Sequence, residues 1–579
     1  MIHSGAICAS GLSRAEFVCG KRTWRPKWCD LLRSDEERRD FVAAGAAAGV
    51  SAAFASPVGG VLFSLEEGAS FLNQTLTWRM LFSSVTASLL LDMMMSALNG
   101  HAEDMSNPGL VSFGYVGDIT FKTYEIPIFM IMAIFGGLSG ALFVQLNYRV
   151  TLLRSRLFVT RWLKVTETVL VAAASAVVLV VLIYSVPDCQ PLRGFPQQAT
   201  GSNKTGSRDV TSQRGNASIV ADNGDYGEYI ERSDPYGDNG HGFVIKGFCP
   251  YGQHSRIADI LFKTPEGGLH AILHAPLDEW SFGPLIVLVV VYHLMATCTY
   301  GVMASSGIFI PALLIGGVWG RIVGMLLMRG LPGIGTKVSK YALVGAACQL
   351  GGTVRMTISL AVIILECTGD ITFGVPIILS LFVAKWIGDF FNPGIYDLHI
   401  EIMGIPLLPW KPPDMCYNVN ASDVMSAPVI CLRTVEKIRR IVKILGLESL
   451  SHNGFPVVED YTPENSDPTT VTFGRLKGFI LKSQLERILL GQDNNISEEE
   501  LDSVIDLRMH MDRSPYIVQE DVSLPKIFKL FRGIGLRHLV VVNDRNMVVG
   551  IITRINLAKY RAESKKGQLK LAELEIDDR

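Results

Sequence analysis

The 579-residue chain carries almost no net charge, −2 from 53 basic and 55 acidic side chains, so composition makes no case for a nucleic-acid partner. Its ten cysteines are scattered, none at C-x-x-C spacing, which argues against a zinc site and a thiol redox motif. No phosphate-cradling glycine loop and no nucleophile–base constellation is present, and this disfavours a soluble enzyme. No metal site is expected. The opening residues do not read as a secretory signal. His3, His293 and His399 lie far apart and read as packing or interface residues.

What the chain has in abundance is apolar sequence: 49% of residues are hydrophobic and the mean hydropathy is +0.30. The apolarity is concentrated in blocks at 41–65, 79–98, 126–147, 167–186, 284–303, 307–328, 341–366 and 373–390. Beyond residue 410 the chain reads as an ordinary soluble domain. Several blocks are interrupted by Gly45, Gly49, Pro57, Gly59, Gly60, Gly307, Pro311, Gly316, Gly317, Gly351 and Gly352, more breaks than simple spans of ~20 residues would carry. Membrane proteins tolerate such breaks where helices pack closely or where half-helices end around a binding site.

Two internal repeats organise the chain. Residues 45–66 superpose without gaps on 345–366, matching Gly45, Ala46, Ala47, Leu65 and Glu66 to Gly345, Ala346, Ala347, Leu365 and Glu366. Both segments run small-residue helix, break, apolar helix, glutamate. Repeated halves with broken helices place a ligand site at the repeat interface. The stretch after Pro311 can be laid on the first ten residues with Gly316 on Gly5, so Met1 reads as an internal methionine of a longer chain. In the tail, a unit opening at Val424 and a unit opening at Met511 each continue as helix, strand, strand and helix start, joined by a polar linker.

Individual residues suggest chemistry. Gly307 and Pro311 frame a helix start, Pro311 within its first turn. Helix N-termini carry unpaired N–H groups and a partial positive charge that suit an anion without a full cation. The same pattern also opens ordinary helices. Glu66 and Glu67 end an apolar helix, where ionisable groups are costly and often functional. Glu66 has a counterpart in Glu366 and reads as structural, whereas Glu67 faces Cys367 and breaks the symmetry. Tyr396 closes the last apolar block, a common place for an interface aromatic. Arg355 reads as a capping or pairing residue. Cys189 and Cys249 bracket a polar insertion with sequons at Asn203 and Asn216; in a lumenal loop these would serve as disulfide and glycosylation sites.

The segments Gly59-Gly-Val-Leu-Phe-Ser-Leu-Glu-Glu67, Gly307-Ile-Phe-Ile-Pro311 and Gly351-Gly-Thr-Val-Arg-Met, followed by the paired tail units, resemble the CLC family of chloride channels and chloride/proton exchangers. The runs 68–79, 189–192, 388–399, 452–458 and 536–542 resemble its late-endosomal and lysosomal branch. The resemblance implies a mostly α fold, a polytopic membrane domain of broken, tilted helices in inverted repeats over 1–408, with a lumenal loop at 187–275. It implies an α/β tandem CBS pair at 409–489 and 508–565, joined by 490–507 and followed by a polar tail at 566–579.

It further implies a homodimer in the membrane of late endosomes or lysosomes, with a chloride pathway in each subunit. Chloride and protons are the expected partners, with membrane lipid and an accessory β-subunit beside them, and no cofactor is required. The backbone at Gly307, Ile308 and Phe309 and the hydroxyl of Tyr396 would hold chloride, and Glu67 would be the internal proton-transfer residue. The family's early serine and its external gating glutamate, in a Gly-x-Glu-Gly-Pro loop, would precede Met1. The expected activity is chloride/proton antiport by the longer protein. The alternatives are a passive voltage-gated channel and a truncated, non-transporting form. The CBS pair would take an adenine nucleotide such as ATP near Tyr516, Thr553 and Asn556, although the family's pocket has Asp where this chain has Asn556. A purely dimerising role for the pair stands as the alternative.

Overall fold

The computed structural model describes residues 2–14, 17–19, 22–24, 35–69, 72–98, 100, 113, 121–186, 188–191, 229–232, 242–245, 249, 253–275, 280–330, 337–405, 407–408, 412, 416–446, 452–459, 474–490, 502–558, 560–565 and 568–573. It divides into two units, Met1–Leu398 and His399–Arg579.

The first unit is built from α1 (Ile2–Arg14), α2 (Asp35–Phe54), α3 (Pro57–Phe63), α4 (Gln74–Leu98), α5 (Ile126–Leu157), α6 (Arg161–Ser185), α7 (Arg256–Phe262), α8 (Pro265–His274), α9 (Phe282–Thr299), α10 (Phe309–Gly330), α11 (Val338–Val354), α12 (Ile358–Thr368), α13 (Gly374–Phe391) and α14 (Ile395–Ile402). Among the described residues, six stretches are long and apolar enough to cross a membrane: Gln74–Leu98, Thr123–Leu157, Arg161–Ser185, Phe282–Thr299, Phe309–Gly330 and Gly374–Ile402. In α4 and α6 only 11% of the apolar window is buried within the chain, against 67% in α10. Exposed Phe82, Leu90, Trp162 and Val169 on the former pair suit a hydrocarbon solvent. α10 is instead an interior element.

The centre of the unit is α11, buried along nearly all of its length, with α5, α10 and α13 against it. Small residues set the spacing. A Cβ at Gly316 would stand 2.4 Å from the Gly345 carbonyl oxygen, and one at Gly5 would stand 2.1 Å from the Gly45 carbonyl oxygen. The α10–α11 and α1–α2 crossings thus use the residue pairs that the sequence repeat aligns.

The breaks do not fall where the glycines suggest. Gly351 and Gly352 lie inside α11, and Gly59 and Gly60 inside α3. They are sites of close packing: a Cβ at Gly352 would meet the Gly136 carbonyl oxygen at 2.6 Å. The chain turns instead at Arg355, with φ 70°, and at its repeat equivalent Ala55, with φ 47°. The Arg355 guanidinium covers the end of α11, donating to the Gly352 carbonyl at 2.6 Å, to Asp389 at 2.9 Å and to Asn392 at 2.7 Å. Arg355 is a capping and pairing residue.

Arg321 donates to the carbonyls of Ile272 and Ala275 at 2.5 and 2.6 Å. His293 is buried and stands edge-on to Phe143 at 5.3 Å. Cys189 and Cys249 are joined by a disulfide with Cα atoms 5.6 Å apart. Asn203 and Asn216 lie outside the described residues.

In the second unit the strand Leu432–Arg433 runs parallel to Gly454–Glu459, which pairs antiparallel with Arg475–Leu481. Ile517–Gln519 likewise runs parallel to His538–Val542, which pairs antiparallel with Val548–Thr553. The helices Ile438–Gly446 and Leu524–Ile534 occupy equivalent places before the middle strands. Leu524, Ile527, Phe528 and Phe531 bury one face of the latter against Leu539, Val541 and Ile552. The halves are tied by reciprocal backbone bonds between Phe479 and Asp512 at 2.9 and 2.8 Å.

Candidate functional site

α10 begins at Phe309, and the Ala312 amide closes the first turn on the Ile308 carbonyl at 3.0 Å. The amides of Ile308, Phe309 and Ile310 precede that bond and have no intrahelical acceptor, while Pro311 has no N–H to satisfy. Ile308 is buried, and the Phe309 ring lies 5.3 Å from that of Phe54, the last residue of α2. The start of α10 therefore packs on the end of a helix from the other repeat. The Gly307 backbone is not left-handed, and a Cβ there would meet nothing within 4 Å. The glycine keeps open space before the helix rather than allowing a tight turn.

The approach to this loop is anchored by α5. Asn147 donates to the carbonyls of Thr297 and Tyr300 at 3.0 Å each, and Arg154 to Tyr300 at 2.9 Å while pairing with Glu167 at 2.6 Å. These bonds cap the end of α9 and fix Tyr300.

At the opposite seam, α3 runs into a single π-helical turn, Ser64–Gly68, which carries both glutamates. The Glu66 carboxylate accepts from the Thr357 amide and hydroxyl at 2.9 and 2.8 Å, and from the Ser359 amide and hydroxyl at 3.1 and 2.5 Å. It caps α12. Glu366 accepts from the Ser56 hydroxyl, from the Val58 amide at 3.4 Å and from the Gly59 amide at 2.9 Å. It caps α3. Each repeat's terminal glutamate thus caps the other repeat's half-helix, and Gly59 and Ser359 are equivalent positions.

Glu67 takes part in none of these bonds and is exposed. Its carboxylate lies in the field of Asp397 and Lys385, and the Tyr396 hydroxyl lies in the fields of Glu67 and Tyr300. The fold thus gathers Glu67, Tyr396 and the α9 end, which are remote in sequence. At the equivalent of Glu67, the Cys367 thiol donates to the Phe54 carbonyl at 3.1 Å.

The second unit holds a cavity of 440 Å³ whose wall includes Ser426, His452, Arg537, His538, Thr553 and Asn556. That volume suits a small organic ligand. The Asn556 Oδ1 accepts from the Thr553 amide at 2.9 Å and hydroxyl at 2.6 Å, and its Nδ2 donates to Ser426 at 2.9 Å. Gln484 caps Leu481 in the same way at 2.9 Å, so this position is a helix cap in both halves. Tyr516 is exposed and does not line the cavity; its carbonyl accepts from Val540. The sequence suggests it here because it follows Pro515; it precedes the strand Ile517–Gln519, which pairs with His538–Val542 and buries Val518. Sequence reasoning missed His452, Arg537 and His538, whose signal was their place in the two matched strand-start motifs.

Comparison with known proteins agrees with this architecture. Residues 1–389 match the voltage gated chloride channel family and residues 504–563 the CBS domain. The chain is 42% identical to the human H(+)/Cl(-) exchange transporter 7, over 97% of this chain and 67% of that protein. It is 32% identical to chloride channel protein A of Dictyostelium discoideum, over 96% of this chain and 71% of that protein. A crystal structure of a eukaryotic CLC transporter shares the fold, with a TM-score of 0.57 and 20% identity over 96% of this chain and 75% of that one. The chain therefore belongs to the voltage gated chloride channel family.

Proposed function

We propose that this chain belongs to a chloride/proton antiporter of late-endosomal or lysosomal membranes, working as a homodimer with one pathway per subunit. The observation that carries the reading is the open first turn of α10 meeting the end of α2, with the Tyr396 hydroxyl in the electrostatic field of Glu67. Chloride lies against the amides of Ile308 and Phe309, with Gly307 leaving room for it and the Tyr396 hydroxyl donating from the other side. A cradle of neutral donors holds a dehydrated anion loosely enough to release it. Glu67, reached by water and next to Tyr396, passes protons to and from the interior. The names of its relatives, exchange transporter and chloride channel, support the same reading.

The cavity of the second unit takes an adenine nucleotide such as ATP, with Thr553 and Asn556 at the ribose and Arg537 at the phosphates.

Reconstitution in liposomes tests the transport reading. Chloride efflux should drive proton uptake, and Glu67→Ala should abolish the proton movement while chloride continues to flow. Chloride flux with no coupled proton movement in the parent protein would point to a passive channel instead.

A further inference from the structure

The two glutamates that close the repeats are not equivalent to the proton-transfer residue beside one of them. Glu66 makes four hydrogen bonds to Thr357 and Ser359 on α12, and Glu366 makes three to Ser56, Val58 and Gly59 on α3. A carboxylate that accepts charge-assisted bonds from two amides and two hydroxyls is spent as an acceptor and has a fixed direction. Its backbone is part of a single π-helical turn, and such turns re-aim the side chains that follow. Next to Glu66 in that turn stands Glu67, which takes part in none of those bonds and whose charge reaches the Tyr396 hydroxyl. Next to Glu366 stands Cys367, bonded to the Phe54 carbonyl, and Phe54 packs on Phe309. Each cap therefore holds a neighbour that touches one side of the anion site.

We infer that Glu66 and Glu366 are a matched pair of positioning residues whose exchanged caps lock the seam between the repeats. Glu66 aims Glu67 at Tyr396, and Glu366 aims the Phe54–Phe309 contact at the start of α10. The inference rests on the reading of Glu67 as the proton-transfer residue. Glu66 carries no proton itself. Its role is geometric, so loss of its cap uncouples proton from chloride movement, whereas loss of the Glu366 cap weakens halide selection and leaves the coupling ratio alone.

Both fluxes are recorded together in liposomes holding the whole chain, with melting followed in detergent. Each Glu66 oxygen accepts one amide and one hydroxyl, so Glu66→Gln keeps one of these two pairs and sets its NH2 against the other amide; it retains part of the proton-to-chloride ratio, more than Glu66→Ala does. Glu66→Ala lowers that ratio roughly tenfold, the scale of loss when a reacting group is misplaced by about an ångström. Thr357→Val with Ser359→Ala, which alters only the other side of the seam, lowers it in the same direction. Glu366→Ala changes chloride-over-bromide preference at constant ratio.

Three results overturn the inference. Glu66→Gln could stop proton flux as completely as Glu67→Gln, which would make Glu66 a proton carrier. Glu66→Ala could lower the melting temperature while the ratio holds, which would make the cap mere packing. If instead Glu67→Gln leaves the ratio unchanged, the parent reading fails and the melting data decide the caps. Non-additive losses between Glu66→Ala and the Thr357→Val/Ser359→Ala pair uphold the exchange, and additive losses refute it.

Discussion

Lys340 and Glu125 form an ion pair at 2.5 Å with side chains 1% and 0% exposed, joining the start of α11 to the turn that leads into α5. The Glu125 carboxylate also accepts from the Tyr341 hydroxyl at 3.3 Å and from the Lys122 amide at 3.1 Å. Removing one partner leaves a buried charge uncompensated. Lys340→Ala should destabilise the first unit by about 3–5 kcal/mol, and Lys340→Met with Glu125→Leu should recover most of that loss. Thermal melting of the detergent-solubilised protein checks both.

Two glycines of the same region should respond in opposite ways. Gly316→Ala places a methyl group 2.4 Å from the Gly345 carbonyl and forces α10 away from α11. A loss of about 1–3 kcal/mol is expected, as for other overpacked interiors. Gly307→Ala meets no atom within 4 Å and should fold as the parent does, while narrowing the space in front of the helix. Melting separates the two, and halide flux reports the second.

Asn556 spends its amide on Thr553 and Ser426. A carboxylate at this position keeps the helix cap through one oxygen and frees the other for ribose hydroxyls. Asn556→Asp should therefore tighten ATP binding roughly tenfold, the worth of one added charge-assisted bond. Calorimetric titration of the whole chain checks this, and unchanged affinity would separate the cavity from nucleotide binding.

The second unit carries a pH dependence of its own. Burial and the neighbouring Arg537 push His538 down from 6.5 to about 4, and its ring lies 5.2 Å from that of Phe479. The unfolded chain binds the proton more readily than the folded one. Stability is therefore full above about pH 6.5 and falls as pH drops toward 4, by an amount on the order of 2 kcal/mol. His538→Phe should flatten that decline, which scanning calorimetry across the range would show.

Much of this fold was legible because the repeats are written in the sequence. The match of Gly45 to Gly345 and of Gly316 to Gly5 gave the helix crossings, since only paired small residues allow backbones so close. The position of the breaks was legible at Pro57, which opens α3, and at Gly307, which precedes α10, but not at the end of α11. Glycine weakens a helix in water, but at a buried crossing it is a contact residue, so Gly351 and Gly352 stay helical while Arg355 turns. Repeat symmetry correctly set Glu66 apart from Glu67. It could not say that each terminal glutamate reaches across to the other repeat, because intra- and inter-repeat capping leave the same residues in the same places. Tyr516 precedes the strand Ile517–Gln519 and is not among the residues that line the cavity.

The central claim is that a bare halide rests against the first turn of α10. Crystals of the protein grown in bromide test it through anomalous scattering. The account predicts a bromide peak within hydrogen-bond distance of the Ile308 and Phe309 amides and facing the Tyr396 hydroxyl. Protein atoms filling that space, with bromide found elsewhere in the membrane unit, would contradict it.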